Sequence, residues 1–106
     1  MNTNTAAAAA LVTWALLEGK HVGAASFEGR IVKLSARSAE IRSRDAMEPM
    51  SNLRMHVRGS DGSDVPGDLY VKVAAQVDGG EGFVVRFTAS PPEIVKFLEA
   101  ARDASN

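Results

Sequence analysis

Hydrophobic and polar residues alternate along much of this chain. The alternation is clearest at residues 53–57, 69–73 and 83–87, where every second position is apolar. A period of two is typical of a β-strand with one buried face and one face in water. Because glycines, prolines and small polar residues separate these runs, the pattern predicts short antiparallel strands joined by turns.

Three more segments extend this β pattern toward the amino terminus. Residues 27–34 and 38–43 have the composition of strands with a polar turn between them, and Gly29 indicates a β-bulge in the first. Residues 11–17 leave two interpretations open. Continued from the alanines that precede them, they would extend a helix that ends at Gly19, whereas by themselves they favour a strand. We expect the strand, because the segments that follow are strands.

One helix is predicted near the carboxyl end. Ser90, two prolines and Glu93 match a capping box with prolines in the first helical turn. Apolar residues then recur at the spacing of a single helix face, namely Ile94, Phe97, Leu98 and Ala101. We expect this face to pack on the sheet or on a partner.

Together these elements predict a mainly β fold: a small six-stranded antiparallel β-barrel with one C-terminal α-helix. A short sheet protects its edges by closing on itself, which favours a barrel. We place the barrel and helix at residues 11–102, after a flexible or helical arm at 1–10 and before a frayed tail at 103–106. A length of 106 residues suits one such domain.

The composition argues against several classes of function. Cysteine is absent, which excludes disulfides and thiol catalysis. The net charge of −1 argues against a nucleic-acid-binding protein, and the apolar stretch at 6–17 is too short to span a bilayer. We therefore expect a cytoplasmic protein without nucleic-acid or membrane partners. The charge is nevertheless uneven, since residues 28–58 hold seven basic and four acidic residues, and residues 59–106 hold four and eight.

No catalytic or metal-binding motif is evident, so we expect neither an enzyme nor a metal site. His21 and His56 lack the spacing of metal ligands, and no nucleophile stands beside a base. His56 alternates with Arg54 and Arg58, and these three side chains would form a basic stripe on one strand face. The stripe is a candidate contact for an acidic partner protein, and a solvated strand face explains it at least as well.

The turn at residues 35–38 is the candidate ligand site. Ser35, Arg37 and Ser38, with Lys33 before them, offer hydroxyl groups, turn amides and positive charge to an anion. A serine turn whose hydroxyls satisfy its own backbone is the commoner arrangement, and on chemistry alone we favour it.

The segment around this turn resembles the signature of the PilZ family. In PilZ domains a strand enters a turn of pattern Asp/Asn-x-Ser-x-x-Gly, which an aliphatic strand follows. Here Ser35 matches the serine, Lys33 stands in place of the acid or amide, and Ser38 stands in place of the glycine. The later strands and the helix are similar to the closing strands and C-terminal helix of the family. The resemblance spans residues 11–101 and implies a six-stranded barrel that acts in bacterial second-messenger signalling through cyclic di-GMP.

The second PilZ motif is missing from this chain. In the family, an Arg-x-x-x-Arg pair before the first strand grips the phosphates of cyclic di-GMP and stacks on guanine. This chain has no arginine before Arg30. Each arginine–phosphate contact contributes about 1.5–3 kcal/mol, so losing two weakens binding by about a hundredfold or more. The resemblance therefore implies a degenerate, non-enzymatic regulatory module that works through protein–protein interaction, with weak or no cyclic di-GMP binding and no other cofactor.

Two alternatives remain open. One is a genuine cyclic di-GMP receptor whose positive charge comes from the barrel itself, the residues being Arg30, Lys33, Arg37 and Arg42. The other is a structural module that forms homo-oligomers through the helix face and an exposed stripe at Trp14 and Leu16. Against this alternative, we expect Phe97 and Leu98 to pack on the barrel of the same chain.

Overall fold

The computed structural model describes residues 10–59, 62–77, 79 and 81–104. Within these ranges the chain forms seven strands and one helix. The strands are β1 (Leu11–Glu18), β2 (His21–Val22), β3 (Phe27–Leu34), β4 (Ser38–Arg42), β5 (Asn52–Arg58), β6 (Leu69–Gln76) and β7 (Gly82–Ala89), and the helix is α1 (Pro92–Ala104). The alternating segments are therefore strands, as predicted, and residues 11–17 belong to a strand rather than to a helix.

Six of the strands close into an antiparallel barrel. Their order around the barrel is β1, β3, β4, β7, β6 and β5, and β5 pairs back onto β1. The short strand β2 pairs with the end of β1 outside this ring. Closure gives each of the six strands a partner on both sides, which is how a small sheet avoids pairing with other chains. The predicted six-stranded barrel with one C-terminal helix is confirmed.

Trp14 lies inside the barrel. It is only 2% exposed, and its ring centroid is 5.3 Å from that of Phe83, edge-on, and 6.1 Å from that of Phe27, stacked. Its indole Nε1 is buried without a hydrogen-bond partner among the described residues. The prediction of an exposed stripe at Trp14 and Leu16 is wrong, because β1 turns Trp14 inward and Leu16 packs against the same core.

Helix α1 packs its predicted apolar face on the barrel. Ile94 and Leu98 belong to the buried core, and Phe97 packs against that core while partly exposed. Ala101, the last residue of the face, is also buried. The spacing of these residues thus predicted the correct helix face, and the barrel of the same chain covers it.

The helix begins one residue later than a cap at Ser90 would require. The Val95 amide donates to the Pro91 carbonyl, which makes Pro91 the residue before the first helical position. Pro92 therefore occupies that first position, where the fixed φ of proline suits the helix. The helix continues through Ala104, into the predicted tail. Residues 1–9 of the predicted arm and the last two residues of the tail lie outside the described ranges.

Two glycines allow neighbouring strands to approach the end of β4 closely. A Cβ atom added to Gly29 on β3 would lie 2.6 Å from the carbonyl oxygen of Arg42, and one added to Gly82 on β7 would meet the carbonyl of Ile41. Gly29 therefore serves this close approach. The predicted bulge at Gly29 is wrong, because the irregularity between β3 and β4 lies between residues 31 and 33. A groove with a charged lining lies at this end of β4.

Candidate functional site

A groove of about 650 Å³ crosses the outer face of the barrel. Residues of β1, β3 and β5 line it together with the end of β4 and the segment that follows. This volume falls in the range of ligand-binding clefts. The charged lining consists of four arginines, a histidine and two acidic residues, namely Arg30, Arg42, Arg44, Arg58, His56, Glu28 and Asp45. We refer to this groove as the arginine groove.

Strand register places three of the arginines and one leucine in a row. Arg42 on β4 lies opposite Arg30 on β3. Leu11 on β1 lies opposite Arg30 on one side and opposite Arg58 of β5 on the other. All four residues are exposed, and for Leu11 the exposed fraction is 38%. Because neighbouring strands lie about 4.8 Å apart, the backbone of Arg58 is about 10 Å from that of Arg30.

The β5 end of the groove already holds a carboxylate. Arg58 Nε donates to Asp64 Oδ1 at 3.1 Å, and the same oxygen lies 3.4 Å from His56 Nε2. The pKa of Asp64 is lowered, chiefly by the hydrogen bond with His56 and next by the positive charge of Arg58. Arg58 and Asp64 also form an isolated backbone bridge. The chain itself therefore supplies an anion to this end of the groove.

At the β3–β4 end, no carboxylate of the described residues lies within ion-pair distance of the arginines. Arg30, Arg42 and Arg44 form no ion pair within the described part of the chain. Glu28 and Asp45 line the same groove without contacting these guanidinium groups at ion-pair distance. Like charges directly opposite each other on neighbouring strands are destabilising. This end thus holds three guanidinium groups and two carboxylates that are not joined at ion-pair distance, and its net positive charge favours an external anion.

Hydrogen bonds hold the segment that carries Arg44. The buried Ser43 side chain donates to the Glu28 carbonyl at 2.8 Å and accepts from the Asp45 amide at 3.0 Å. The Ser43 amide donates to the carbonyl of Glu81, the residue before β7, at 3.0 Å. The segment is therefore tied to both neighbouring strands, so the backbone of Arg44 needs little ordering when a ligand binds.

The predicted ligand site at the serine turn uses its polar groups locally. Ser35 Oγ and Ser38 Oγ are 2.6 Å apart, and the Ser35 amide donates to the Ser38 carbonyl at 2.9 Å. Lys33 Nζ lies 4.0 Å from a Glu40 carboxylate oxygen, and Arg37 is exposed. This is the local bonding that the chemistry of a serine turn favours. Anion binding at these residues stays a prediction.

The structure separates the two predicted sets of site residues. The serine turn follows one end of β3 and the groove lies at the other, so Ser35 is about 17 Å along the strand from Arg30. Within the predicted basic stripe, His56 and Arg58 line the groove. Arg54 is exposed on the same strand but does not line it. The stripe and the groove thus overlap, whereas the serine turn is a separate location.

The groove itself is not evident from the sequence. Arg30 and Arg42 are predicted only as substitutes for the PilZ arginines, and no sequence pattern points to Arg44 or Leu11. The hairpin offered a partial signal, since residues on either side of a turn pair with each other. Counting outward from the turn, however, predicts that Ser43 lies opposite Arg30. In the structure Arg42 lies there instead, because the irregularity between residues 31 and 33 shifts the register by one residue.

Comparison with known proteins adds no family assignment. No protein-family model matches the chain, and no curated protein matches it. The resemblance to PilZ domains therefore stays a prediction. Within the described ranges, no helix combines the length and apolar character needed to cross a bilayer. The same residues contain no group of three or more His, Asp or Glu side chains suited to a metal ion.

Proposed function

We propose that this chain is a PilZ-like, non-enzymatic regulatory module of the bacterial cytoplasm that binds an acidic surface of a partner protein. The contact surface is the arginine groove, extended along β5 by Arg54. In this proposal cyclic di-GMP binds weakly or not at all, and the module needs no cofactor.

The observation that carries the proposal is the excess of arginine in a concave surface. Four arginines and two carboxylates line the groove, although the whole chain has a net charge of −1. Asp64, outside the lining, pairs with Arg58, which leaves three arginines without an ion pair among the described residues. A cleft lined mainly by one sign of charge attracts partners of the opposite sign and orients them. Leu11 adds an exposed apolar side chain between Arg30 and Arg58. An apolar residue of the partner would gain free energy by covering it.

Two features support weak or absent cyclic di-GMP binding. Residues 1–29 contain no arginine, so this segment offers no guanidinium pair that could grip two phosphates. The groups of the degenerate signature also have partners already, since Ser35 and Ser38 bond to each other and Lys33 lies beside Glu40. A nucleotide would have to displace these contacts before it could use the same groups.

A fluorescence titration tests binding of the acidic partner. Trp14 is the only tryptophan of the chain and stacks on Phe27, which lines the groove. We expect a glutamate-rich peptide to bind saturably and a lysine-rich peptide of equal length not to bind. Arg42→Ala should weaken binding of the acidic peptide by about tenfold, the worth of one charge-assisted contact.

The matched control is Arg86→Ala, because Arg86 is exposed on β7 and does not line the groove. This variant should bind the acidic peptide as the unmodified chain does. Equal losses in Arg42→Ala and Arg86→Ala would show that only overall charge matters, and they would contradict a specific contact in the groove.

Calorimetric titration with cyclic di-GMP tests the second part of the proposal. We expect no saturable heat at micromolar nucleotide. Micromolar or tighter binding would overturn this part and favour the receptor alternative. In that case Lys33→Ala combined with Arg37→Ala should abolish nucleotide binding, and binding that survives both changes would exclude the serine turn as the site.

A further inference from the structure

We infer that the β3–β4 end of the arginine groove is a site for one phosphate group, carried by a phosphorylated side chain of the partner. The site consists of Arg30, Arg42 and Arg44. That the phosphate belongs to a partner protein rests on the proposed function. The phosphate site itself follows from the position and charge of the three arginines.

The hairpin of β3 and β4 shows why this end of the groove is unusual. Further along the same hairpin, Lys33 lies opposite Glu40, and the two charges compensate each other at 4.0 Å. At the groove the corresponding pair is Arg30 opposite Arg42, and both carry the same charge. The third cation, on Arg44, lines the same groove. The hairpin thus changes from a compensated pair to a concentrated positive charge where it reaches the groove.

A cross-strand pair of like charges does not by itself indicate a phosphate site on this barrel. Lys72 on β6 also lies opposite Arg86 on β7. That pair lies outside the lining of the groove. What distinguishes the groove is the combination of three arginines, a concave surface and an anchored segment after β4.

The two ends of the groove differ in the anion that they suit. At the β5 end one carboxylate, that of Asp64, serves both Arg58 and His56. At the β3–β4 end three guanidinium groups offer more donors than one carboxylate can accept, and neither Glu28 nor Asp45 pairs with them. A phosphate monoester has a charge of about −1.5 to −2 and three acceptor oxygens, and guanidinium groups bind such oxygens in pairs. The β3–β4 end therefore suits a phosphate better than a carboxylate.

The acidic residues of the lining limit the expected affinity of this site for phosphate. Glu28 and Asp45 oppose any anion in the groove, so free inorganic phosphate should bind with a dissociation constant of about 1 mM or weaker. A phosphate attached to a protein segment gains the additional contacts of that segment. Leu11, which lies next to Arg30 in the row, offers an exposed apolar surface to a neighbouring side chain.

Nuclear magnetic resonance of the full chain tests the phosphate site directly. Inorganic phosphate is titrated at constant ionic strength, and the Nε–Hε signals of the arginines are followed. We expect saturable shifts at Arg30 and Arg42 but not at Arg86, and much weaker shifts when acetate replaces phosphate. Shifts of equal size at Arg86, or shifts that do not saturate, would overturn the inference because they indicate only general screening.

A set of three acidic peptides tests the carrier. The peptides are identical except for phosphoserine, glutamate or serine at one central position. We expect the phosphoserine peptide to bind about tenfold more tightly than the glutamate peptide, an advantage that Arg42→Gln removes and Arg86→Gln leaves intact. Folding of each variant is checked by its thermal transition.

The outcomes separate this inference from the proposed function. If all three peptides bind equally at the groove, an acidic partner remains supported and the phosphate site is refuted. If phosphate and the phosphoserine peptide bind but the other two do not, the phosphate site stands and binding of an unmodified acidic partner is refuted. If none binds saturably, both are refuted.

Discussion

Replacing Arg30 by glutamate should stabilise the fold while it abolishes anion binding in the groove. The substitution turns the cross-strand pair of Arg30 and Arg42 from two like charges into two opposite charges. Both side chains are exposed, so neither the original repulsion nor the new attraction is large. The physical expectation is a gain in the free energy of unfolding together with a loss of function.

The size of the gain follows from the geometry of the pair. Opposite charges in register contribute about 0.2–1 kcal/mol, and like charges are unfavourable by a similar amount. Taking the lower part of these ranges for solvent-exposed groups, the exchange should add about 0.5–1 kcal/mol. For a domain of this size, that corresponds to a rise in Tm of about 2–6 °C.

Thermal unfolding followed by circular dichroism measures this change. The difference between Arg30→Glu and the unmodified chain should be largest at low ionic strength and should shrink in salt, because salt screens exposed charges. Arg86→Glu is the matched control, since it creates an opposite-charge pair with Lys72 outside the groove. Both variants should be stabilised, and only Arg30→Glu should lose phosphate binding.

A fall in Tm for Arg30→Glu at low salt would contradict the expected gain in stability, because it would mean that Arg30 has a stabilising partner. Loss of phosphate binding in Arg86→Glu would contradict the expected difference between the two variants. It would show that total charge, and not the groove, governs the interaction.

Three further changes test other parts of the structure. Gly82→Ala should lower the free energy of unfolding by about 1–3 kcal/mol in urea denaturation, because the new Cβ would meet the backbone of Ile41. In the control Gly23→Ala, the new Cβ would lie 3.5 Å from its nearest neighbour, an ordinary contact, so the free energy of unfolding should change little. Equal effects of the two substitutions would contradict the close approach at Gly82. Met50→Gly should raise the free energy of unfolding by about 0.5–1 kcal/mol, because Met50 has a φ of 74° and glycine adopts this conformation without strain; an unchanged or lower Tm would contradict this. Asp64→Asn should lower the free energy of unfolding at neutral pH. The lowered pKa of Asp64 means that its ionised form stabilises the fold above the ordinary value of 3.8, and this contribution is lost as the pH falls through the lowered value. The stability difference between Asp64→Asn and the unmodified chain should therefore disappear in acid, and a difference that persists there would contradict the role of the ionised carboxylate.

Most of the strands and the buried face of the helix could be predicted from the order of residues along the chain. Alternation at residues 53–57, 69–73 and 83–87 predicted β5, β6 and β7, and the spacing from Ile94 to Ala101 predicted the buried face of α1. These features depend on local backbone geometry, because a strand or a helix presents its side chains with a fixed period whatever it packs against. The barrel followed from the same pattern, since a short antiparallel sheet with one apolar face is stabilised by closing on itself.

Which charges lie opposite each other depends on long-range strand pairing. The irregularity between residues 31 and 33 brings Arg30 opposite Arg42 instead of Ser43, and closure of β1 onto β5 brings Leu11 beside Arg58. The same long-range packing gave Gly29 its role in the close approach to β4. Register and closure depend on the free energy of the whole barrel, in which each strand adjusts to both neighbours, so no local stretch of sequence contains the information that positions the arginine groove.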